Sequence, residues 1–410
     1  MNKTYPQAAE VKAKQPAKAQ QGKDATVRKY AMQSAAQKTL TGQTYSRGKK
    51  EHSYRVTRCH RNPHARLHNP GVDVVHYADN DRYGYGNLLS CGSTWHCPVC
   101  SPKITEFRRI ELDTAIRKVI ALGGEVAMIT LTYPHSIDLS LEVSLDKFYK
   151  ARSKLAESQA FKRIMREVTA LGRVFSTEVT VGQNGWHPHL HMLVLCEMKT
   201  DEILVRLESL RDYWANFVRK VGLGEINEHG FNVVNGDYAA EYVAKYGHEP
   251  DAFAWGAAHE LAKSASKVAR GDNVSPFGLL ELLSERAALE IGTRTLEPED
   301  IAALFLEYAV RFQGRQQLVW SPGLREKLGL EAERPDELIA EEEAAREIVG
   351  TLNLAEWQHI LRLNGRGPVL ALVKKHGPDA LPRILALLPT MKSNRPGDPW
   401  FSEERRFRSY

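Results

Sequence analysis

Apolar residues recur at helical spacing along residues 101–122, "SPKITEFRRIELDTAIRKVIAL", through Ile104, Phe107, Ile110, Ala115 and Ile116. Ser101 and Pro102 supply a cap and a proline at the first helical position, and Gly123-Gly124 ends the run. The pattern then changes to β-branched alternation in "EVAMITLTYP", a strand stopped by Pro134. Helical periodicity returns over residues 140–170. "RVFSTEVTVGQNGWHPHLHMLVLCEM" reads as a β-hairpin, two alternating runs joined by a Gly/Asn-rich turn. A helix ("DEILVRLESLRDYWANFVRKVG"), a short strand ("GFNVVN") and a helix opened by Asp237 ("GDYAAEYVAKYGHE") come next. Residues 251–325 look helical, 331–347 are acidic, and the remainder reads as helix up to "LLPTMKSNRPGDP". No internal repeat is visible.

With 410 residues, 42% of them hydrophobic and 26% charged, the chain has the composition of a soluble globular protein larger than one typical domain. No window approaches the ~18–20 consecutive apolar residues of a membrane span. The N-terminus lacks the apolar segment of a secretory signal, so a cytoplasmic location is expected. Charge sharpens this picture at one end. Residues 1–50 hold 11 Lys+Arg against 2 Asp+Glu, so the net +6 of the whole chain leaves residues 51–410 at −3. A basic, Ala/Gln/Lys-rich stretch with few large apolar groups should remain a disordered tail. It suits either contact with nucleic-acid phosphates or simple solubility.

Cysteine is used sparingly: Cys59, Cys91, Cys97, Cys100 and Cys196. The two-residue gap in Cys97-Pro-Val-Cys100 lets both thiolates reach one tetrahedral Zn²⁺, and Cys91 and Cys59 complete a four-sulfur structural set. His60 and His96 are candidate substitute ligands. A disulfide framework is disfavoured in a reducing cytoplasm, and the βαβ context of a thioredoxin-like pair is missing. Cys196 falls in an apolar run and reads as a small buried hydrophobe.

In "HPHLH" (187–191), strand geometry puts His189 and His191 on one side and Leu190 and Met192 on the other, facing the core. Two imidazoles a strand step apart can chelate a divalent ion, and Glu178 on the opposite arm supplies a carboxylate, a set suited to Mn²⁺ or Mg²⁺ as Lewis acid. His187 shares their parity but precedes Pro188 and is expected at the turn or behind the ligands. Surface histidines would give the same string. In "YVAKY" (242–246), Tyr242 and Tyr246 share a helix face with Lys245 beside them. Two phenols so placed can approach one metal-bound phosphate, whereas core packing is the plainer account of a Tyr238, Tyr242, Tyr246 stripe.

Taken together, the motifs resemble the HUH endonuclease superfamily, in particular rolling-circle replication initiators of plasmids and single-stranded DNA phages. "MITLTYPH" (128–135), "HPHLH" and "YVAKY" appear in that family's order, and "CGSTWHCPVC" and "ALFLEYAVRFQGRQQLVWSPGLREKLGL" are also similar to plasmid initiators. The likeness covers roughly residues 55–330. It implies an α+β fold with an antiparallel, palm or ferredoxin-like core and an N-terminal zinc module. It further implies metal-dependent nicking and rejoining of origin DNA, with Tyr246 as nucleophile, Tyr242 acting second and Lys245 assisting. A 5′-phosphotyrosine link and a free 3′-OH primer would result. Some plasmid members have glutamate where Tyr242 stands, and Glu241, about 100° away around the helix, is a poor substitute.

The expected layout is a tail (1–50), a cysteine module with connecting helix (51–124), a catalytic domain (125–250), a helical DNA-binding region (251–330) and an acidic helical region (331–410). Residues 259–270 carry lysine and arginine suited to duplex recognition. No G-x-x-x-x-G-K-[ST] loop is present, so unwinding would fall to a host helicase, with host single-strand binding protein and polymerase completing the partners. A two-tyrosine transposase and a non-enzymatic zinc-containing DNA-binding regulator are the competing readings.

Overall fold

In the computed structural model, described for residues 25–64, 71–78, 81–200, 202–236, 273–342 and 345–387, the chain opens with helix α1 (Ala25–Leu40) and a hairpin, β1 (Thr44–Arg47) and β2 (Lys50–Ser53). β3 (Val72–Tyr77), β4 (Arg82–Gly86), α2 (Ser101–Ala121) and β5 (Glu125–Leu131) follow. Next are α3 (Leu141–Glu157), α4 (Gln159–Glu167), the long hairpin β6 (Ala170–Gly182) and β7 (Gly185–Cys196), α5 (Ile203–Glu208), α6 (Arg211–Lys220) and β8 (Phe231–Asn235). After residue 272 come α7 (Pro276–Glu285), β9 (Leu289–Ile291), β10 (Arg294–Leu296), α8 (Pro298–Phe312), β11 (Val319–Trp320), α9 (Leu324–Lys327) and α10 (Asp336–Glu341). β12 (Glu347–Leu352), α11 (Leu354–Arg362), α12 (Arg366–His376) and α13 (Leu381–Leu387) complete the described chain. Local chemistry sets several of these boundaries. Ser140, Ser158 and Ser275 cap α3, α4 and α7 by accepting backbone N–H bonds, and Glu297/Asp300 and Asn353/Glu356 form capping boxes on α8 and α11.

The fold is α+β with antiparallel sheets. Its largest sheet has the order β11-β6-β7-β5-β8. One face, with Ile129, Leu131, Leu190, Met192 and Val194, is covered by α3 to α6 through Phe148, Leu155, Phe161, Leu207 and Trp214. Trp214 ties that layer to the sheet by donating its indole N–H to the carbonyls of Thr132 and Gly230, both at 3.0 Å. The other face is divided along its length. At one end Val126, Met128, Val174, Leu193 and Leu195 pack on Leu112, Ala115, Ile116 and Val119 of α2. Two strand steps further, the same rows turn polar: Thr130, Ser176, Glu178, His189 and His191.

A second sheet, β12-β3-β4, carries α11 to α13 on a core of Val72, Val74, Tyr85, Leu352, Trp357, Val369 and Leu370. Among the described residues no helix is long and apolar enough to cross a membrane.

Three expectations need correction. From residue 25 the basic tail is an ordered helix: α1 buries Tyr30, Gln33, Ala36, Gln37 and Leu40 against α7 and α12. Two of those five buried residues are glutamines, whose burial hydropathy does not register. The regions expected to be helical beyond residue 250 contain β9, β10 and β11, and the acidic C-terminal region contributes β12, which pairs with β3 in the cysteine-bearing half of the chain. In α2, Ile110 is 52% exposed, because the buried stripe runs through Ile104, Arg108, Leu112 and Ala115.

Candidate active site and cysteine metal centre

The four cysteines Cys59, Cys91, Cys97 and Cys100 are buried and unbridged, and their sulfurs lie within 4.8 Å of one another. Cys59 Sγ is 3.5 Å from Cys100 Sγ and 3.6 Å from Cys97 Sγ, and Cys91 Sγ is 3.7 Å from Cys100 Sγ. Tetrahedral ligands on ~2.3 Å Zn–S bonds stand ~3.8 Å apart, so the quartet fits a metal such as zinc. Two loops and a helix start bring it together. His60 N–H to Leu89 O (2.9 Å) and Leu89 N–H to Asn62 O (3.0 Å) zip the Cys59 loop to the Cys91 loop, while α2 begins directly after Cys100. Gly92, at φ +60°, lets the second loop lie against α10, where a Cβ would meet Glu337 Cα at 2.7 Å. Burial alone would raise the Cys97 thiol, but its contacts with the Cys100, Cys59 and Cys91 sulfurs and the hydrogen bond from the Cys100 backbone N–H hold it well below the usual thiol range.

The substitute ligands do not join this centre. His60 Nε2 lies 3.3 Å from Ser90 Oγ, and His96 is held between Ser93 Oγ (3.1 Å) and Ala309 O (3.0 Å). Burial lowers both imidazoles to about 4. Cys196 is buried with the sheet core, away from the other four.

The polar end of the large sheet is built by the β6–β7 hairpin. Its two-residue turn, Gln183-Asn184, joins Gly182 to Gly185, and Gly185 at φ +84° passes so close to Ile137 that a Cβ would meet its Cα at 2.9 Å. The register that this turn fixes sets Glu178 opposite His189, Ser176 opposite His191 and Thr180 opposite His187, with Thr130 of β5 flanking His191. Glu178 Oε2 lies 3.4 Å from His191 Nε2, and both residues are buried. Thr130 Oγ1 is 3.1 Å from His191 Nδ1. If Nδ1 donates to that hydroxyl, the Nε2 lone pair faces the carboxylate; Nε2 is buried and makes no hydrogen bond. Two ligands ~2.1 Å from one divalent ion stand ~3.0–3.4 Å apart, so the Glu178–His191 spacing fits a shared ion.

His189 occupies the same face but turns toward its other neighbour, with its Nε2 2.9 Å from His187 Nε2. The three expected ligands are therefore not closed into one set; among the described residues only the cysteines meet that geometry. His187 is not a turn residue. It pairs within the strand, stacks on His135 at 3.9 Å between ring centroids, and lies 3.1 Å from Thr132 Oγ1. Burial, then repulsion from His189 and His135, lowers its pKa to about 3, so it stays neutral. His135, Thr130 and Thr132 were not singled out from the sequence. All three lie inside "MITLTYPH", whose resemblance to the strand beside the family's active site was the available signal. Tyr242, Lys245 and Tyr246, and the basic stretch 259–270, lie outside the described residues. The chain leaves β8 at Gly236 and returns at Val274, which bridges Val181, one residue from the Thr180–His187 pair.

Comparison with known proteins gives this arrangement a setting. Residues 89–201, which hold Cys91, Cys97, Cys100, Glu178 and the three histidines of β7, match a family of replication proteins. The chain is 28% identical over 343 residues to Protein rep of Streptomyces lividans, covering 67% of this chain and 73% of that one. It is 27% identical over 139 residues to a Streptomyces cyanogenus protein named neomycin resistance protein, covering 28% and 32% of the two chains. No solved structure matches significantly. The replication-protein matches support the resemblance to plasmid replication initiators.

Proposed function

We propose that this chain is a plasmid replication initiator that nicks and rejoins origin DNA, with Tyr246 as nucleophile and Glu178, His189 and His191 as the ligands of a catalytic Mn²⁺ or Mg²⁺. The observation that carries this reading is the buried Glu178–His191 pair, with an unsatisfied Nε2 held 3.4 Å from a carboxylate oxygen inside the replication-protein segment. A divalent ion held there would polarise a non-bridging phosphate oxygen and offset the charge that develops in the transition state. Thr130 fixes the ring of His191, and His187, kept neutral, backs His189. The Tyr246 oxygen bonds to phosphorus as the P–O3′ bond breaks. The phenolic proton is lost, and the departing oxygen gains a proton to become the 3′-OH primer. Phosphodiester energy is retained in the 5′-phosphotyrosine link, so rejoining needs no ATP. Lys245 steadies the phosphate, and Tyr242, four positions before Tyr246 in the sequence, performs the second cut after one round.

Origin DNA is the partner, with host helicase, single-strand binding protein and polymerase acting on the nicked product. Arginines on the helical side of the sheet support a contact with its backbone. Arg152 stacks on Phe175 (4.7 Å), Arg315 on Tyr149 (4.6 Å) and Arg173 on Phe161 (4.8 Å), and none of the three guanidiniums has a carboxylate partner among the described residues. Arginines held on aromatic faces without a carboxylate partner suit phosphates and unstacked bases.

The test is covalent capture of a single-stranded origin oligonucleotide with Mn²⁺ present. Tyr246→Phe should abolish the adduct. A full adduct in the Tyr242→Phe/Tyr246→Phe double variant overturns the assignment. Absence of any nicking by the unmodified chain favours a non-enzymatic DNA-binding regulator.

A further inference from the structure

Arg366 opens α12 and is only 2% exposed. A guanidinium stays protonated at neutral pH, and a buried ion requires opposite charge close by. Yet every hydrogen-bond partner of its side chain is neutral. Nη1 donates to Gln33 Oε1 (2.5 Å), and Nη2 donates to Ser34 Oγ (2.9 Å) and Gln37 Oε1 (3.3 Å). Nε is buried with no partner, the Tyr30 ring lies 5.2 Å away, and no carboxylate pairs with the residue among the described ones.

The same glutamines connect it to the cysteine centre. Gln33 Nε2 donates to Cys97 Sγ at 3.4 Å, and Gln37 Nε2 donates to the carbonyls of Cys59 (2.8 Å) and Val56 (3.1 Å). Each amide thus presents its oxygen to the guanidinium and its N–H to the cysteine loops. Four neutral thiols would leave Arg366 without a counter-charge. Four thiolates around a divalent ion carry a net charge of −2, on the far side of these two amides.

We infer that Arg366 is the counter-ion of the metal-loaded cysteine centre, coupled to it through Gln33 and Gln37, so that metal binding and docking of α12 on α1 form one equilibrium. The backbone is built for that docking. Tyr85 Oη donates to Arg366 O at 2.9 Å, and Gly367 lies so close to α1 that a Cβ would meet Val27 Cα at 2.6 Å. A residue more than 260 positions from the last of the four ligands therefore acts as a positioning residue for the metal, and the inference does not depend on the nicking chemistry.

Two measurements on the full-length protein test it. In the first, Zn²⁺ affinity is measured by competition with a chromophoric chelator, and the sulfur-to-metal charge-transfer band is followed after Co²⁺ loading. Arg366→Met should weaken Zn²⁺ binding by about 10- to 100-fold, as loss of an outer-shell partner does, and Arg366→Lys should recover part of that loss. Gln33→Leu, which breaks the relay and leaves the arginine in place, should shift the Co²⁺ band and weaken affinity in the same direction. Unchanged affinity in Arg366→Met, or equal losses for Met and Lys, overturns the inference. The second measurement needs no variant: hydrogen exchange of the unmodified chain with and without chelator. Protection should fall together in α1 and α12 while β5 to β7 keep theirs. Retained protection of α12 in the metal-free protein overturns the coupling even where the variants fail to fold.

Discussion

The cysteine centre and the histidine face differ in how much of each site is assembled before anything binds. The cysteines are four identical donors, all buried, spaced as tetrahedral ligands are, and backed by hydrogen bonds from α1. The histidine face has one buried pair at bonding distance for a shared ion, Glu178 and His191, and a third candidate, His189, turned toward His187. A closed set leaves no coordination position for a substrate, so its role is to hold loops and helices together. An incomplete set leaves room for a phosphate. Under the proposed function, this is the difference between a metal that would build the fold and one that would act on a substrate.

The largest effect should come from opening the closed site. Cys100→Ser preserves shape but removes a soft ligand. Apparent structural-zinc binding energies of ~10–16 kcal/mol mean that losing the ion removes on the order of 5–10 kcal/mol, comparable to a domain's whole stability. Metal content should fall from one zinc per chain toward none, and the part of the chain built around the cysteines, α1 and α12 included, should lose its cooperative thermal transition while the large sheet keeps its own. A variant that melts like the unmodified chain would remove the basis of the comparison.

The mirror experiment is His191→Ala. Removing one ligand and its charge stabilisation should lower nicking by about 10²–10³-fold. Zinc content should stay at one per chain, and the buried ring's loss should cost only about 1–2 kcal/mol in unfolding. Loss of zinc together with activity would mean that the two sites are not separable. Thr130→Val is gentler, since it removes only the hydroxyl beside His191 Nδ1. About a 10-fold weaker Mn²⁺ dependence of nicking is expected, with thermal stability nearly unchanged.

How much of this was legible in the sequence follows the same division. Period-two alternation in "HPHLHMLVL" and the short turn before it were enough to put His189, His191 and Glu178 on one face, because hairpin register is a local property. The Cys-x-x-Cys gap, likewise local, pointed to the buried four-cysteine cluster. What stayed hidden is nonlocal or polar. β12 pairs with β3 across some 270 positions, and no periodicity encodes that partner. α1 resembled a tail because Gln33 and Gln37 bury amides rather than hydrocarbon, and their value appears only once Arg366 and the cysteine loops are beside them. His135 stacks on His187 through a loop, so no strand or helix period could place it.

The fifth cysteine gives the smallest and most selective test of the comparison. Burial, then the nearby Glu125 carboxylate, pushes the Cys196 thiol up to about 12, so it is a protonated core residue at neutral pH and not a spare ligand. A folded pKa above the unfolded value stabilises the fold below the ordinary thiol range and loses that contribution as pH rises from about 9 toward 12. At pH 8 its thiolate fraction is on the order of 10⁻⁴, so alkylation should pass it by. Iodoacetamide treatment followed by mass spectrometry should add no label to the zinc-loaded protein and four labels after chelation. A fifth should appear only in denaturant, because chelation opens the cysteine centre while the sheet that buries Cys196 stays folded. Labelling of Cys196 at the same rate as the other four after chelation would show that the large sheet also depends on the metal, and that the two regions are one folding unit.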